Sequence, residues 1–167
     1  MNWQVVMMGI MLHAAAPAGG QQASVPEQLA VCESVAGGST THEKREITLD
    51  AVRSCLEHDP DNPRLHVALG NLLLVGNELD KAQQAYQHAL QLDARSSLAM
   101  SGMANVLTRQ GKFGEAEKML LLLLESSPRP SKYYYELGCL YEQQGKQDKA
   151  LQMFKEGVSA YEKAHKR

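Results

Sequence analysis

The three cysteines, Cys32, Cys55 and Cys139, are the side chains of this sequence best suited to chemistry. Zinc sites and haem attachment sites typically contain two cysteines separated by two residues, and no such pair is present. A nucleophilic thiol needs a low pKa, which a neighbouring histidine or a helix N-terminus could supply. The sequence places neither beside Cys139. We therefore expect Cys139 to be a structural or surface thiol, and an enzyme that uses it is the least favoured alternative.

The histidines and acidic residues offer no better candidates for catalysis. None of the six histidines has a second ligand at metal-binding distance along the chain. Neither a Gly-x-Ser-x-Gly nucleophile motif nor a phosphate-binding loop is present. We predict a protein that is not an enzyme and that has no catalytic residue, cofactor, metal or small-molecule substrate.

The N-terminal segment differs from the rest of the chain because no charged side chain precedes Glu27. Residues 5–12 are apolar apart from Gly9, and Ala16-Pro17-Ala18 follows, which is typical of a signal peptide with its cleavage site. The apolar block is shorter than the roughly 20 residues of a membrane-spanning helix. We predict an exported protein with a leader at 1–18 and a linker at 19–25. Because no basic residue stands near the start, an uncleaved membrane anchor and a cytoplasmic protein remain alternatives.

Composition and charge narrow the class of protein. The net charge is −2 with a sequence pI of about 6.3, and the charges of both signs are interleaved. Only the tail, with Lys163, Lys166 and Arg167, resembles a basic patch, so nucleic-acid binding is excluded. Helix-forming residues dominate after Val25, and long alternations of β-branched residues are absent. The sequence predicts an all-α protein.

A period of 34 residues runs through most of the chain. Four series of positions recur at this spacing, and the last contains residue types that tolerate a left-handed backbone at a chain reversal. The series are Leu69-Gly70, Met103-Ala104 and Leu137-Gly138; Ala82, Ala116 and Ala150; Tyr86, Leu120 and Phe154; and Asn77, Gly111 and Gly145.

These residues resemble the tetratricopeptide repeat (TPR), a 34-residue helix-turn-helix unit. The best match is Tyr134-x2-Leu137-Gly138-x2-Tyr141, with Ala150-x3-Phe154 after it. The resemblance covers about residues 63 to 160 and implies a right-handed α-solenoid that binds polypeptides on its concave face. It predicts helix pairs at 63–75 and 79–92, 97–109 and 113–126, and 131–143 and 147–164, within a unit of three repeats over 63–167.

A degenerate repeat is expected at 26–62, with one helix over 26–36 and a second over about 43–58. In the register of the repeats, Cys32 lies on the core side of the first helix and Cys55 on the second. Antiparallel packing would bring the two cysteines together, so we predict a Cys32–Cys55 disulfide in an exported protein. Two buried thiols that act as small hydrophobic residues are the alternative.

The concave face implied by the resemblance contains the predicted partner-binding residues. Asn71 and Asn105 lie in register, and their amides could hydrogen-bond a peptide backbone. Arg64 and Lys132 would favour an acidic partner, although an ordinary solvated groove is the alternative. The full set is Arg64, Val67, Asn71, Leu98, Ser101, Asn105, Lys132, Tyr135 and Cys139.

Two further surfaces are expected to be apolar and exposed. A run of five leucines, residues 120–124, must direct Leu121 or Leu122 away from the core of its helix. The last helix extends the stripe of Phe154 with Val158 and Tyr161, and we expect no further helix to cover it. Both surfaces could bind a partner or a second copy of the chain.

The function predicted from the sequence is a non-catalytic adaptor or assembly subunit, acting through protein–protein contacts in the periplasm or bacterial cell envelope. A partner polypeptide would lie in the concave groove. The alternative is a permanent structural subunit of a larger complex or homo-oligomer, docked through its last helix.

Overall fold

A computed structural model describes residues 42–166 of the chain, and these residues form seven helices without a strand. The helix pairs predicted from the repeat are present at the predicted bounds, and the last helix ends one residue later. The helices are α1 (His42–His58), α2 (Pro63–Val75), α3 (Leu79–Leu92), α4 (Ser97–Arg109), α5 (Phe113–Ser126), α6 (Ser131–Gln143) and α7 (Gln147–His165).

The helices form a linear array in which each packs against the next along the chain. The first helices of successive repeats also contact each other, α2 with α4 and α4 with α6. One continuous hydrophobic core runs between the layers, from Leu49 and Val52 in α1 to Ala150 in α7. The prediction of an all-α solenoid is therefore confirmed over the described residues.

The turns inside the three repeats have the same geometry. Asn77, Gly111 and Gly145 adopt positive φ angles of 59°, 76° and 73°, as the sequence predicted. In the first turn the amide of Glu78 donates to the carbonyl of Leu73 at 2.9 Å, while the amide of Asn77 donates to that of Leu74 at 3.1 Å. This Schellman arrangement satisfies the last carbonyls of α2 and directs the chain back along it.

Inside each repeat, a small residue of the first helix faces a large residue of the second. A Cβ atom added to Gly70 would lie 2.7 Å from the ring of Tyr86, and one added to Gly138 would lie 2.3 Å from the ring of Phe154. In the middle repeat the corresponding residues are Ala104 and Leu120, both buried. The sizes of the paired side chains compensate, so the helices of each pair approach closely.

Two arginines bind the C-terminal end of α2. Arg45 of α1 is buried, and its Nη1 donates to the carbonyl oxygen of Leu72 at 3.3 Å and lies 3.4 Å from the Glu78 carboxylate. Arg109 of α4 donates to the carbonyl oxygen of Leu74 at 3.0 Å. Cations are favoured at this end of a helix because its last carbonyls are partly negative.

Of the degenerate repeat predicted at 26–62, the structure describes only the second helix, α1, which begins one residue before the predicted start. The predicted leader, the linker, the helix at 26–36 and Cys32 lie outside the described residues. The Cys32–Cys55 disulfide therefore stays a prediction, and so do the domain boundaries before residue 42. None of the helices of residues 42–166 has the length and apolar character that crossing a membrane requires.

Candidate functional site

The exposed residues of α2, α4 and α6 form what we call the first-helix face. Of the nine predicted partner-binding residues, most are exposed on these helices, and Cys139 is half-buried. Val67 and Ser101 are instead buried, because Val67 belongs to the hydrophobic core and Ser101 is covered by α6. The exposed residues are Arg64, Asn71, Leu98, Asn105, Lys132 and Tyr135.

A carboxylate that the sequence interpretation missed lies in this face. Glu136 accepts a hydrogen bond from the Ser101 hydroxyl, whose oxygen is 2.8 Å from Oε1 and 2.9 Å from Oε2. The Nζ atom of Lys132 lies 3.5 Å from Oε1 of the same carboxylate. Since Glu136 follows Lys132 by one helical turn, this i,i+4 pair was visible in the sequence. It offsets part of the positive charge predicted for this end of the face.

Asn71 is already engaged within the protein. The hydroxyl of Tyr86 donates to Oδ1 of Asn71 at 2.7 Å, and the Tyr86 ring passes between Gly70 and Gly102 to reach it. Burial raises the pKa of the Tyr86 hydroxyl above its ordinary value. The amide nitrogen of Asn71 is the part left for a partner, whereas Asn105 is exposed in the equivalent position of the next repeat.

Tyr135 connects the first-helix face with α7. Its ring centroid is 5.7 Å from that of Phe154, and its side chain is largely exposed. A hydrogen bond with the Cys139 thiol raises the pKa of the Tyr135 hydroxyl. Cys139 is a free thiol. An exposed aromatic ring beside polar groups is suited to contact with another polypeptide.

The apolar surfaces predicted on α5 and α7 are also present. Leu121 and Leu122 are both exposed on α5, and Val158 and Tyr161 are exposed on α7. An open cavity of about 390 Å³ lies along the surface that α6 and α7 share, and it is lined by Ser131, Tyr135, Phe154, Gly157, Val158 and Tyr161. The sequence interpretation missed Leu151, which is exposed on the same helix.

Histidine pairing does not create a metal site in the described part of the chain. The rings of His66 and His88 are in contact, with centroids 4.1 Å apart, and Nε2 of His66 is 2.7 Å from the carbonyl oxygen of Pro60. Across residues 42–166 no group of three or more His, Cys, Asp or Glu side chains is arranged to hold a metal ion. His66 thus has a packing role similar to that of the aromatic residue expected at its repeat position.

The chain matches the sequence pattern of one protein family over most of its length. The sequence pattern of the family described as the cytochrome c-type biogenesis protein H TPR domain matches residues 28–167. The chain belongs to this family. The resemblance to TPR proteins is thereby confirmed, and the match includes most of residues 26–62, where the sequence predicts a degenerate repeat.

Solved structures of other TPR proteins share the fold. PilF of Pseudomonas aeruginosa has a TM-score of 0.69 at 23% identity, over 83% of this chain and 63% of that one. MamA has a TM-score of 0.67 at 20% identity, over 86% of this chain and 82% of that one. YrrB, described as a TPR protein with an unusual peptide-binding site, has a TM-score of 0.64 at 19% identity, over 82% and 69% of the two chains.

One curated relative shares the repeat sequence. The cell division cycle protein 27 homolog A of Arabidopsis thaliana is 32% identical over 96 residues. The match covers 56% of this chain but only 13% of that protein. The chain therefore spans only a small part of the length of that protein.

Proposed function

We propose that this chain is a non-catalytic assembly subunit that holds a partner polypeptide against its first-helix face during the biogenesis of c-type cytochromes. The family match supports the pathway, and the TPR fold supports an adaptor that acts through protein–protein contacts. The observation that carries the proposal is the repetition of exposed polar and aromatic residues along one face, with Asn71 and Asn105 in register and Tyr135 beyond them.

The geometry favours a partner with an exposed backbone. The Asn105 amide can both donate to and accept from a peptide unit, whereas Asn71 offers its amide nitrogen because Tyr86 occupies its oxygen. Leu98 and Tyr135 supply exposed apolar area beside these amides. A partner in an extended or locally unfolded state would present the backbone groups that such a face can bind.

Charge is proposed to have a smaller role. Arg64 and Lys132 are exposed at opposite ends of the first-helix face, which would favour an acidic partner. Glu136 lies next to Lys132, so we propose that Lys132 contributes less to this preference than a lysine without a neighbouring carboxylate would. Exposed charges mainly steer association and are screened within about 8 Å at physiological salt.

Export to the periplasm or cell envelope is part of the proposal. It is supported by the apolar leader at 1–18 and by a family description that concerns cytochrome c biogenesis. The Cys32–Cys55 disulfide would form in that compartment and would stabilise the terminal repeat by about 3 kcal/mol according to loop-closure arguments. Mass spectrometry of unreduced protein that finds three alkylatable thiols would contradict the bond.

The test uses the full chain and the haem-free polypeptide of a c-type cytochrome. We expect Asn105→Ala to weaken binding about 2- to 10-fold, because it removes hydrogen bonds worth about 0.5–1.5 kcal/mol. Asn71→Ala should have a smaller effect, and Arg64→Ala and Lys132→Ala should cause losses that shrink as salt is added. Gln84→Ala, which removes an exposed amide of α3 outside the first-helix face, is the matched control. If the four changes leave binding intact while Val158→Asp or Tyr161→Asp abolishes it, the first-helix face is not the interface.

A permanent structural subunit is the second candidate function, and the exposed apolar residues of α7 favour it. In that case α7 would be buried on a neighbouring protein, and the first-helix face would be ordinary surface. A thiol-dependent activity at Cys139 is the least supported alternative, because TPR proteins are generally non-catalytic. Loss of an activity in Cys139→Ser would revive it.

A further inference from the structure

The last helix carries an exposed stripe with the spacing of a helix–helix seam. Leu151, Phe154, Val158, Tyr161 and His165 are separated alternately by three and four residues, which places them on one side of α7. We call them the α7 stripe. Leu151, Val158 and Tyr161 are 54%, 60% and 56% exposed, and Phe154 is half-buried. Helices with such a seam normally bury it against another helix.

In the other two repeats, a following helix covers the residues that correspond to the α7 stripe. Tyr86 and Leu90 of α3, and Leu120 and Leu124 of α5, stand one or two repeat lengths before Phe154 and Val158. All four are buried or half-buried, because α4 packs on α3 and α6 packs on α5. The interface between successive repeats would therefore continue onto the α7 stripe if one more helix were present.

The contact between α3 and α4 shows which residues a helix would need in order to cover the α7 stripe. A Cβ atom added to Gly102 would lie 2.3 Å from the Tyr86 ring, so the covering helix needs a small residue where it crosses the aromatic side chain. Ala99, Met103 and Val106 of α4 are also buried. Together with Gly102 they form one side of that helix, at positions three before, one after and four after the glycine.

The described chain does not supply this helix to α7. At the position where α3 and α5 end, α7 continues, and it reaches 19 residues compared with 14 in each of the other two. The cavity of about 390 Å³ on the surface that α6 and α7 share stays open along this extension. Tyr161, which lies on the extension, lengthens the apolar stripe beyond the part that a repeat needs.

We propose that the α7 stripe binds one amphipathic helix from a different polypeptide, with glycine or alanine opposite Phe154 and apolar residues at the three positions that α4 uses. A second copy of this chain does not fit the same requirement. In a two-fold interface the stripe would face itself. It has no small residue free to receive the Phe154 ring, because the neighbouring Gly157 is buried against Ser131 and Tyr134 of α6. This binding site is separate from the first-helix face, and it deepens the second candidate function by stating what kind of partner surface α7 would bind.

The test uses α4 itself as the probe, because it is the helix that covers the equivalent surface of α3. A fluorescent peptide with the sequence of residues 95–110 is held helical by a staple between the positions of Ala104 and Thr108, away from Gly102. The staple is needed because an isolated helix of this length is only marginally stable in water. Fluorescence anisotropy with the full chain should show saturable binding with one peptide per chain.

Three variants decide the outcome. Val158→Asp should weaken peptide binding at least about tenfold, because it places a charge in an apolar contact. Leu122→Asp is the matched control, since Leu122 is 57% exposed on α5 and outside the stripe, and it should leave binding unchanged. Changing Gly102 to Leu in the peptide should weaken binding by about the same factor as Val158→Asp, because the larger residue cannot lie over the Phe154 ring.

The proposal is overturned if the peptide shows no saturable binding or if Leu122→Asp weakens binding as much as Val158→Asp. It is also overturned if sedimentation shows a dimer of the chain that Val158→Asp dissociates, since a second copy would then cover the stripe. Asn105→Ala in the full chain, with the peptide unchanged, should leave peptide binding as it was. Failure of this site and failure of the first-helix face are therefore distinguishable.

Discussion

Tyr86 and Phe154 occupy the same position in the first and last repeats, but their surroundings differ. Tyr86 is fully buried between Gly70 of its own repeat and Gly102 of the next. Phe154 packs on Gly138 in the same way, but its other side faces the open cavity beside α7. The repeat sequence therefore specifies two separate contacts, one inside the helix pair and one to the following helix. Only the first is completed at Phe154.

Truncation of the two aromatic side chains should separate these contacts most clearly. We expect Tyr86→Ala to lower the free energy of unfolding by about 3–5 kcal/mol, as for other fully buried aromatic residues. Phe154→Ala should lower it by roughly half as much, because the Phe154 side chain is only partly buried and one side of its ring faces the open cavity. Urea unfolding of both variants measures the difference. Equal losses of unfolding free energy in the two variants would contradict the expectation that the open side of Phe154 weakens its contribution to stability.

Glycine replacements test the same contrast in another way, because they ask whether each aromatic ring can move to make room for an added methyl group. Gly70→Ala and Gly138→Ala both gain up to about 1 kcal/mol of helix propensity. At Gly70 the added methyl meets a ring held on both sides, so we expect a net loss of about 1–2 kcal/mol. At Gly138 the Phe154 ring can move toward the cavity, and we expect a change near zero. Thermal unfolding checks the order, and a larger loss at Gly138 would contradict it.

The smallest expected effect concerns the Tyr86 hydroxyl. Tyr86→Phe removes its hydrogen bond to Asn71 and should cost about 1 kcal/mol, whereas Phe154→Tyr adds a hydroxyl near solvent and should be close to neutral. The two reciprocal changes are best compared by urea unfolding in one buffer. A loss in Phe154→Tyr as large as that in Tyr86→Phe would remove the distinction.

The pH dependence gives a second measurement on the same variants. The pKa of Tyr86 is raised in the folded protein, so its contribution is fully present below the ordinary tyrosine value of about 10 and is lost as the pH rises above it. Burial, together with the hydrogen bond to Glu117, raises the pKa of Tyr141 to about 12, and this adds a loss over the same range. Tyr86→Phe should therefore reduce, but not abolish, the alkaline loss of stability. An unchanged pH profile would contradict this assignment.

The sequence predicted the helices well because their ends depend on local chemistry. Asn77, Gly111 and Gly145 stop each first helix in the conformation that their residue types allow. The candidate site was predicted less completely. The pairing of Ser101 with Glu136, and the capture of the Asn71 oxygen by Tyr86, join residues of different helices whose side chains meet only after the helices have packed. The spacing within one helix places Val67 on the predicted face, but the packing of its neighbours buries it.

Arg45 and Arg109, which bind the C-terminal end of α2, affect how the helix array unfolds. In a linear solenoid each unit holds only its neighbours, so melting can start at one end and advance unit by unit. Within residues 42–166, α1 and α4 do not contact each other, yet Arg45 and Arg109 both bind carbonyls at the same helix end, two residues apart. Loss of α2 would release both arginines at once. The C-terminal turn of α2 thus acts as a shared anchor that links the fraying of the terminal unit to the opening of the centre.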